Sequence, residues 1–125
     1  EASFSGDARV SVDADERRRR KWTRWRKVPL CFFHGDKLKG DRLAALPGRE
    51  CPPGADPRRA ILLHGHLHKR GLRQDVIGGF DVVCLASPAG ADDWHHEHGF
   101  EGGAKAVTLA VVAPSGLAAL EWVRA

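Results

Sequence analysis

The sequence predicts an α/β domain rich in strands, and three observations carry that expectation. Two short, continuously apolar runs, Val28-Pro29-Leu30-Cys31-Phe32-Phe33 and Ala60-Ile61-Leu62-Leu63, have the length and composition of buried strands, and each is followed by a His-Gly step. Between them a short helix is expected. The chain then closes on two apolar runs joined by Ala113-Pro114-Ser115-Gly116, the pattern of a hairpin.

Taken in order, residues 1 to 16 show no sustained apolar period, and Ala8-Arg9-Val10-Ser11-Val12 reads as a broken-off strand or a frayed end. A basic run follows, in which eight of the eleven residues from Arg17 to Lys27 are Lys or Arg, interleaved with Trp22 and Trp25. The first buried strand spans Val28 to Phe33 and delivers His34-Gly35-Asp36 at its end. A helix around Asp41-Arg42-Leu43-Ala44-Ala45-Leu46 is expected to stop at Pro47-Gly48. The stretch from Cys51 to Pro57 is a loop, because its prolines remove donors and fix φ. The second buried strand, Ala60 to Leu63, delivers His64-Gly65-His66-Leu67-His68. Beyond Gly71 the pattern turns to strands: Asp75-Val76-Ile77 and Asp81 to Ala86 around a tight Gly78-Gly79 turn, then the hairpin of Ala106–Val112 and Leu117–Val123. No repeat and no Gly/Ser linker divides the chain. The organisation expected is an N-terminal segment, 1–27, holding the basic run, and one sheet-rich unit, 28–125.

The chain of 125 residues is 42% hydrophobic and 29% charged, which excludes a disordered or fibrous protein and suits a single core. It contains no Met and starts at Glu1, so it reads as part of a longer chain. The net charge of +4 is concentrated in the basic run. Cys31, Cys51 and Cys84 form no CxxC pair and leave an odd thiol, an arrangement that fits a reducing cytoplasm better than a secreted disulfide framework. No stretch has the roughly 18 apolar residues of a membrane span, so no membrane partner is expected.

Six of the seven histidines fall in two clusters, His64, His66 and His68, then His95, His96 and His98. In a locally extended chain residues two apart face the same way, so His66 and His68 present both imidazoles to one site. A lone loop histidine is usually solvated. An HxH pair at a strand end, with His34 at the end of another strand, points instead to metal ligation.

These motifs resemble the last two metal-binding motifs of the calcineurin-like metallophosphoesterases, a single His and a later Gly-His-x-His, here His34 and Gly65-His66-Leu67-His68. The segment Leu85-Ala86-Ser87-Pro88-Ala89-Gly90 and the closing hairpin are similar to the usual C-terminal layout of those enzymes, so the resemblance runs from about Val28 to the end. It implies an αββα sandwich, of which this chain is a strand-rich C-terminal portion, with two divalent metals bridged by a hydroxide and an aspartate. By position His34 and His66 would bind one metal and His68 the other, and His64 would stand aside at the strand end. Such a pair polarises a phosphoryl oxygen and lowers the pKa of water, the chemistry of hydrolysing phosphate monoesters or diesters. Imidazole ligands suit Mn, Fe, Zn or Ni.

The departures from that family are equally definite. Its earlier motifs, Asp-x-His, Gly-Asp and Gly-Asn-His, supply the bridging carboxylate, an Asn ligand and the catalytic His, and this chain contains no Asn. The expectation is a fragment whose N-terminal ligand motifs and catalytic His lie upstream. Three neutral imidazoles without a bridging carboxylate hold two dications weakly, so the chain alone is expected to turn over poorly.

Two rival readings belong to other classes. The basic run could neutralise phosphates while Trp22 and Trp25 stack on bases, making a nucleic-acid-binding module; the plainer reading is a solvated face anchored by its tryptophans. The alternating histidines also resemble histidine-triad nucleotide hydrolases, although Gly65 and Lys69-Arg70 break the apolar alternation twice. The cluster His95, His96 and His98 reads as a surface loop anchored by Trp94 and Phe100. Ser87 suits a turn, and Lys37, Lys39 and Lys69 lie near the proposed ligands, where they would attract an anion.

Overall fold

The computed structural model describes residues 7–11, 17, 19–35, 41–65, 73–86 and 105–124. Strand β1 (Arg20–Trp25) turns into β2 (Val28–Phe33); two short helices follow, α1 (Asp41–Ala44) and α2 (Leu46–Glu50), then a 3-10 turn (Pro57–Arg59) and β3 (Ile61–His64). β4 (Arg73–Ile77) and β5 (Phe80–Cys84) come next, and β6 (Ala106–Ala113) and β7 (Gly116–Arg124) close the chain. A five-stranded sheet has the order β1-β2-β3-β5-β4, and β6 and β7 form a second, two-stranded sheet. The fold is therefore mixed α/β and rich in strands, as the sequence predicts.

The three central strands β2, β3 and β5 run parallel, flanked by antiparallel β1 and β4. Parallel strands are covered on both faces, and alternation along each strand assigns the two coverings. Cys31, Leu62 and Val82 face the helices and pack with Leu43 and Leu46, with Trp22, Phe33 and Phe80 at the margin. Val28, Ile61, Leu63 and Val83 face the other way and meet Val112, Leu117 and Leu120 of the hairpin. Helices, central sheet and hairpin thus form three layers. Each fully buried Ile or Leu among them contributes about 1.5–3 kcal/mol.

In the basic run, Arg20–Trp25 is strand β1, paired along its whole length with β2 across the two-residue turn Arg26-Lys27. Arg26 in that turn takes a positive φ of 53°. At the N-terminus, Asp7 to Val10 close a turn, with the Asp7 carbonyl accepting from Val10 N–H at 2.9 Å and its carboxylate from Arg9 N–H at 3.0 Å; no strand is found in residues 7–11.

Pro47-Gly48 does not end a helix. Both lie inside α2, where Pro47 occupies the first turn and no donor is required of it. The Gly78-Gly79 turn behaves as its sequence implies, with φ of 62° and 87° joining β4 to β5. The closing hairpin forms with a bulge between Val111 and Val112. Among the described residues no helix is long and apolar enough to cross a membrane.

Candidate metal-binding edge of the sheet

The register of the parallel strands determines what the sheet presents at its C-terminal edge. Phe33 pairs with His64 and His64 with Cys84, so β2, β3 and β5 end at one level. His34-Gly35, Gly65 and Leu85-Ala86 therefore leave the sheet side by side. In open α/β sheets ligands bind beyond the carboxyl ends of the parallel strands, because there the loops converge.

Several contacts fix the start of the Gly-His-x-His loop. His64 is half-buried, its ring centred 5.4 Å from that of Phe33, and its Nδ1 lies 3.0 Å from the Gly65 carbonyl oxygen. That oxygen only accepts, so the contact is a hydrogen bond when Nδ1 carries the proton. The Cys84 thiol also approaches it, at 4.0 Å, and Leu85 N–H donates to the His64 carbonyl at 2.7 Å. Ala86 N–H donates to Thr108 Oγ1 at 3.0 Å, tying the end of β5 to the hairpin.

Gly35 has φ of 102°, and a Cβ there would lie 2.5 Å from His64 Nδ1. The His64 ring occupies the space a side chain at position 35 would need. Sequence reasoning sets His64 aside, and its packing gives it a definite part: it braces the His34 turn against β3. Gly65 approaches the same turn, its Cβ position 4.0 Å from the His34 carbonyl oxygen. His34 itself is exposed at this edge.

Of the three expected metal ligands, His34 is described, and His66 and His68 lie outside the described residues, as do His95, His96, His98, Ser87, Lys37, Lys39 and Lys69. Among the described residues no group of three His, Cys, Asp or Glu side chains converges as a metal site. The cysteines are free thiols. Burial pushes the Cys31 thiol up to about 12, so it stays protonated and inert at neutral pH.

A second feature borders this edge. β1 runs antiparallel to β2, so Arg20 pairs with Phe33, the residue before His34. A cleft of about 720 Å³ opens there, lined by Arg17, Arg19, Arg20, Trp22, Glu50, Cys51, Pro52 and Pro53. Arg20 grips Glu50 with two hydrogen bonds, Nε to Oε2 at 2.9 Å and Nη2 to Oε1 at 2.6 Å, and the Trp22 indole N–H donates to Oε2 at 3.2 Å. The Arg20 guanidinium holds the Glu50 carboxyl below the usual carboxylate range, helped by the indole and opposed by burial. The two tryptophans of the basic run thus differ. Trp22 is turned inward as an anchor, whereas Trp25 is exposed with the Arg26 guanidinium 5.1 Å above its ring.

Comparison with family models, with curated protein sequences and with solved structures returned no match.

Proposed function

We propose that this chain belongs to a metal-dependent phosphoesterase that hydrolyses phosphate monoesters or diesters at a dinuclear centre. One observation carries the reading: β2 and β3 are parallel neighbours in register, so His34 and the loop beginning at Gly65 leave the sheet at the same edge. His34, His66 and His68 would hold two divalent ions, of Mn, Fe, Zn or Ni, through imidazole nitrogen. When bound, the ions would supply Lewis-acid polarisation of a phosphoryl oxygen and an activated water. The chain's own contribution is positional, with Phe33, His64 and Gly35 holding the His34 turn against β3.

For the architecture we propose the αββα sandwich of the metallophosphoesterase type. Helices on one face of the central sheet and the hairpin on the other are compatible with three of those layers. The outer face of the hairpin bears Val107, Leu109, Val111 and Val123, each about half exposed, which is the surface a fourth layer would cover. Three free thiols suit a reducing compartment, and a cytoplasmic setting is part of the proposal.

The test is calorimetric titration of the 125-residue chain with Zn²⁺ and Mn²⁺. His34→Ala, His66→Ala and His68→Ala should each weaken binding about tenfold or more, as loss of a ligand does, while His95→Ala leaves it unchanged. Equal affinity in all four variants would refute the site. Hydrolysis of an aryl phosphodiester by this chain alone should be slow; brisk turnover abolished by His66→Ala would overturn that expectation.

A further inference from the structure

The proposed phosphoesterase chemistry leaves the cleft beside β1 without a task, and the cleft has the composition of an anion site. Among the described residues its lining holds three arginines against one carboxylate. Glu50 is already matched by Arg20 and the Trp22 indole, and Arg19 stands exposed on the same wall, a guanidinium beyond that pair. Pro52, Pro53 and the Trp22 ring form much of the remaining wall, where a phosphate's hydrogen bonds meet less competition from water.

The cleft is also the near end of a longer feature. β1 is an edge strand of the five-stranded sheet. Its sequence, with the turn that follows, carries Arg20, Lys21, Arg24, Arg26 and Lys27 from the Phe33 end of β2 to its Val28 end. Arg24 shares the face of Arg20 and Trp22 and is exposed, as are Arg26 and Lys27 in the turn; Trp25, also exposed, lies on the opposite face of the strand. At about 3.3 Å per residue the charged strand is roughly 20 Å long. A single phosphate would use one end of such a stripe; a chain of phosphates would use all of it.

We propose that the edge formed by β1 binds single-stranded nucleic acid, with one phosphodiester seated in the cleft between Arg19, Arg20 and the Glu50–Pro53 segment. The strand then runs along β1, away from His34, and its seated end lies at the edge that carries His34. As a binding site this does not need a metal; as the element that selects a nucleic-acid substrate it rests on the phosphoesterase reading.

The experiment is fluorescence anisotropy of a labelled twelve-nucleotide thymidine oligomer with the 125-residue chain in EDTA, over a series of salt concentrations. The expected result is salt-sensitive binding that Arg19→Ala weakens about tenfold, the value of one charge-assisted contact. The slope of log affinity against log salt should fall by roughly 0.7 in that variant, one phosphate contact fewer on a single strand. Arg19→Lys should keep the slope, and Glu50→Gln, which removes the opposing charge, should tighten binding. Arg19 is exposed, so its substitution leaves the fold intact. Unchanged affinity and slope in Arg19→Ala would overturn the site. Pyrophosphate displacing the oligomer as effectively as unlabelled oligomer, at equal phosphate concentration, would overturn the assignment to a strand. The chelator removes divalent ions, so failure here is separable from failure of His34, His66 and His68 to bind metal.

Discussion

Gly35 is the residue at which backbone conformation and packing impose the same requirement. Its φ of 102° disfavours any Cβ, and the His64 ring fills the place a Cβ would take. Gly35→Ala should therefore cost at least about 2 kcal/mol in urea unfolding. Gly48 is the contrast: it lies inside α2 with nothing near its Cβ position, and Gly48→Ala should gain about 0.5–1 kcal/mol in the same measurement. The Arg20–Glu50 pair gives a second prediction at this scale. The folded protein depresses the Glu50 pKa, so its contribution is present above the ordinary carboxylate value of 4.5 and is lost as pH falls through the depressed one. With both side chains about one-third exposed, the pair is worth about 0.5–1 kcal/mol. The stability gap between the wild type and Glu50→Gln should accordingly close as pH is lowered below 4.5. His34 was legible in the sequence because a histidine after an apolar strand is a local signal. The bracing role of His64 was not, since it depends on which strands are neighbours.

The β1–β2 hairpin is the element the sequence concealed. Hairpins announce themselves through Gly or Asn in the turn, and this one turns on Arg26-Lys27, with Arg26 at φ 53°. The run of charge on β1 also masked its alternation, in which Trp22 faces the core while Trp25 stays exposed. Arg26→Gly should relieve about 1 kcal/mol of left-handed strain and forfeit about 0.5 kcal/mol of cation–π contact with Trp25, a small net gain in thermal unfolding. The parallel strands β2 and β3 were plain by contrast, because four to six apolar residues bounded by His-Gly and by proline leave little choice. The closing hairpin was equally legible, but its docking was not. Thr108 Oγ1 accepts the Ala86 N–H and so joins the two sheets at the edge that carries His34. Thr108→Val leaves that donor unpaired and should cost about 1–2 kcal/mol, with faster amide exchange at Ala86 as the local readout.

For the molecule as a whole, the outer face of the hairpin is the unbalanced surface. Val107, Leu109, Val111 and Val123 share it in register with Ala119 and Glu121, and none has a place in either core cluster. Replacing Val107 and Leu109 by Thr should change unfolding free energy by less than about 0.5 kcal/mol per site. The same change should reduce self-association measured by sedimentation, because a contiguous apolar face of this kind invites contact. The parallel arrangement of β2, β3 and β5 has a temporal consequence. The β1–β2, β4–β5 and β6–β7 hairpins close over short stretches of chain and can form within microseconds. Pairing β2 with β3 must first close the connection through both helices, so it comes later. The edge that gathers His34 and Gly65 is thus completed near the end of folding. An ion held across it would bind the completed edge and not the unfolded chain, and so would slow the protein's unfolding.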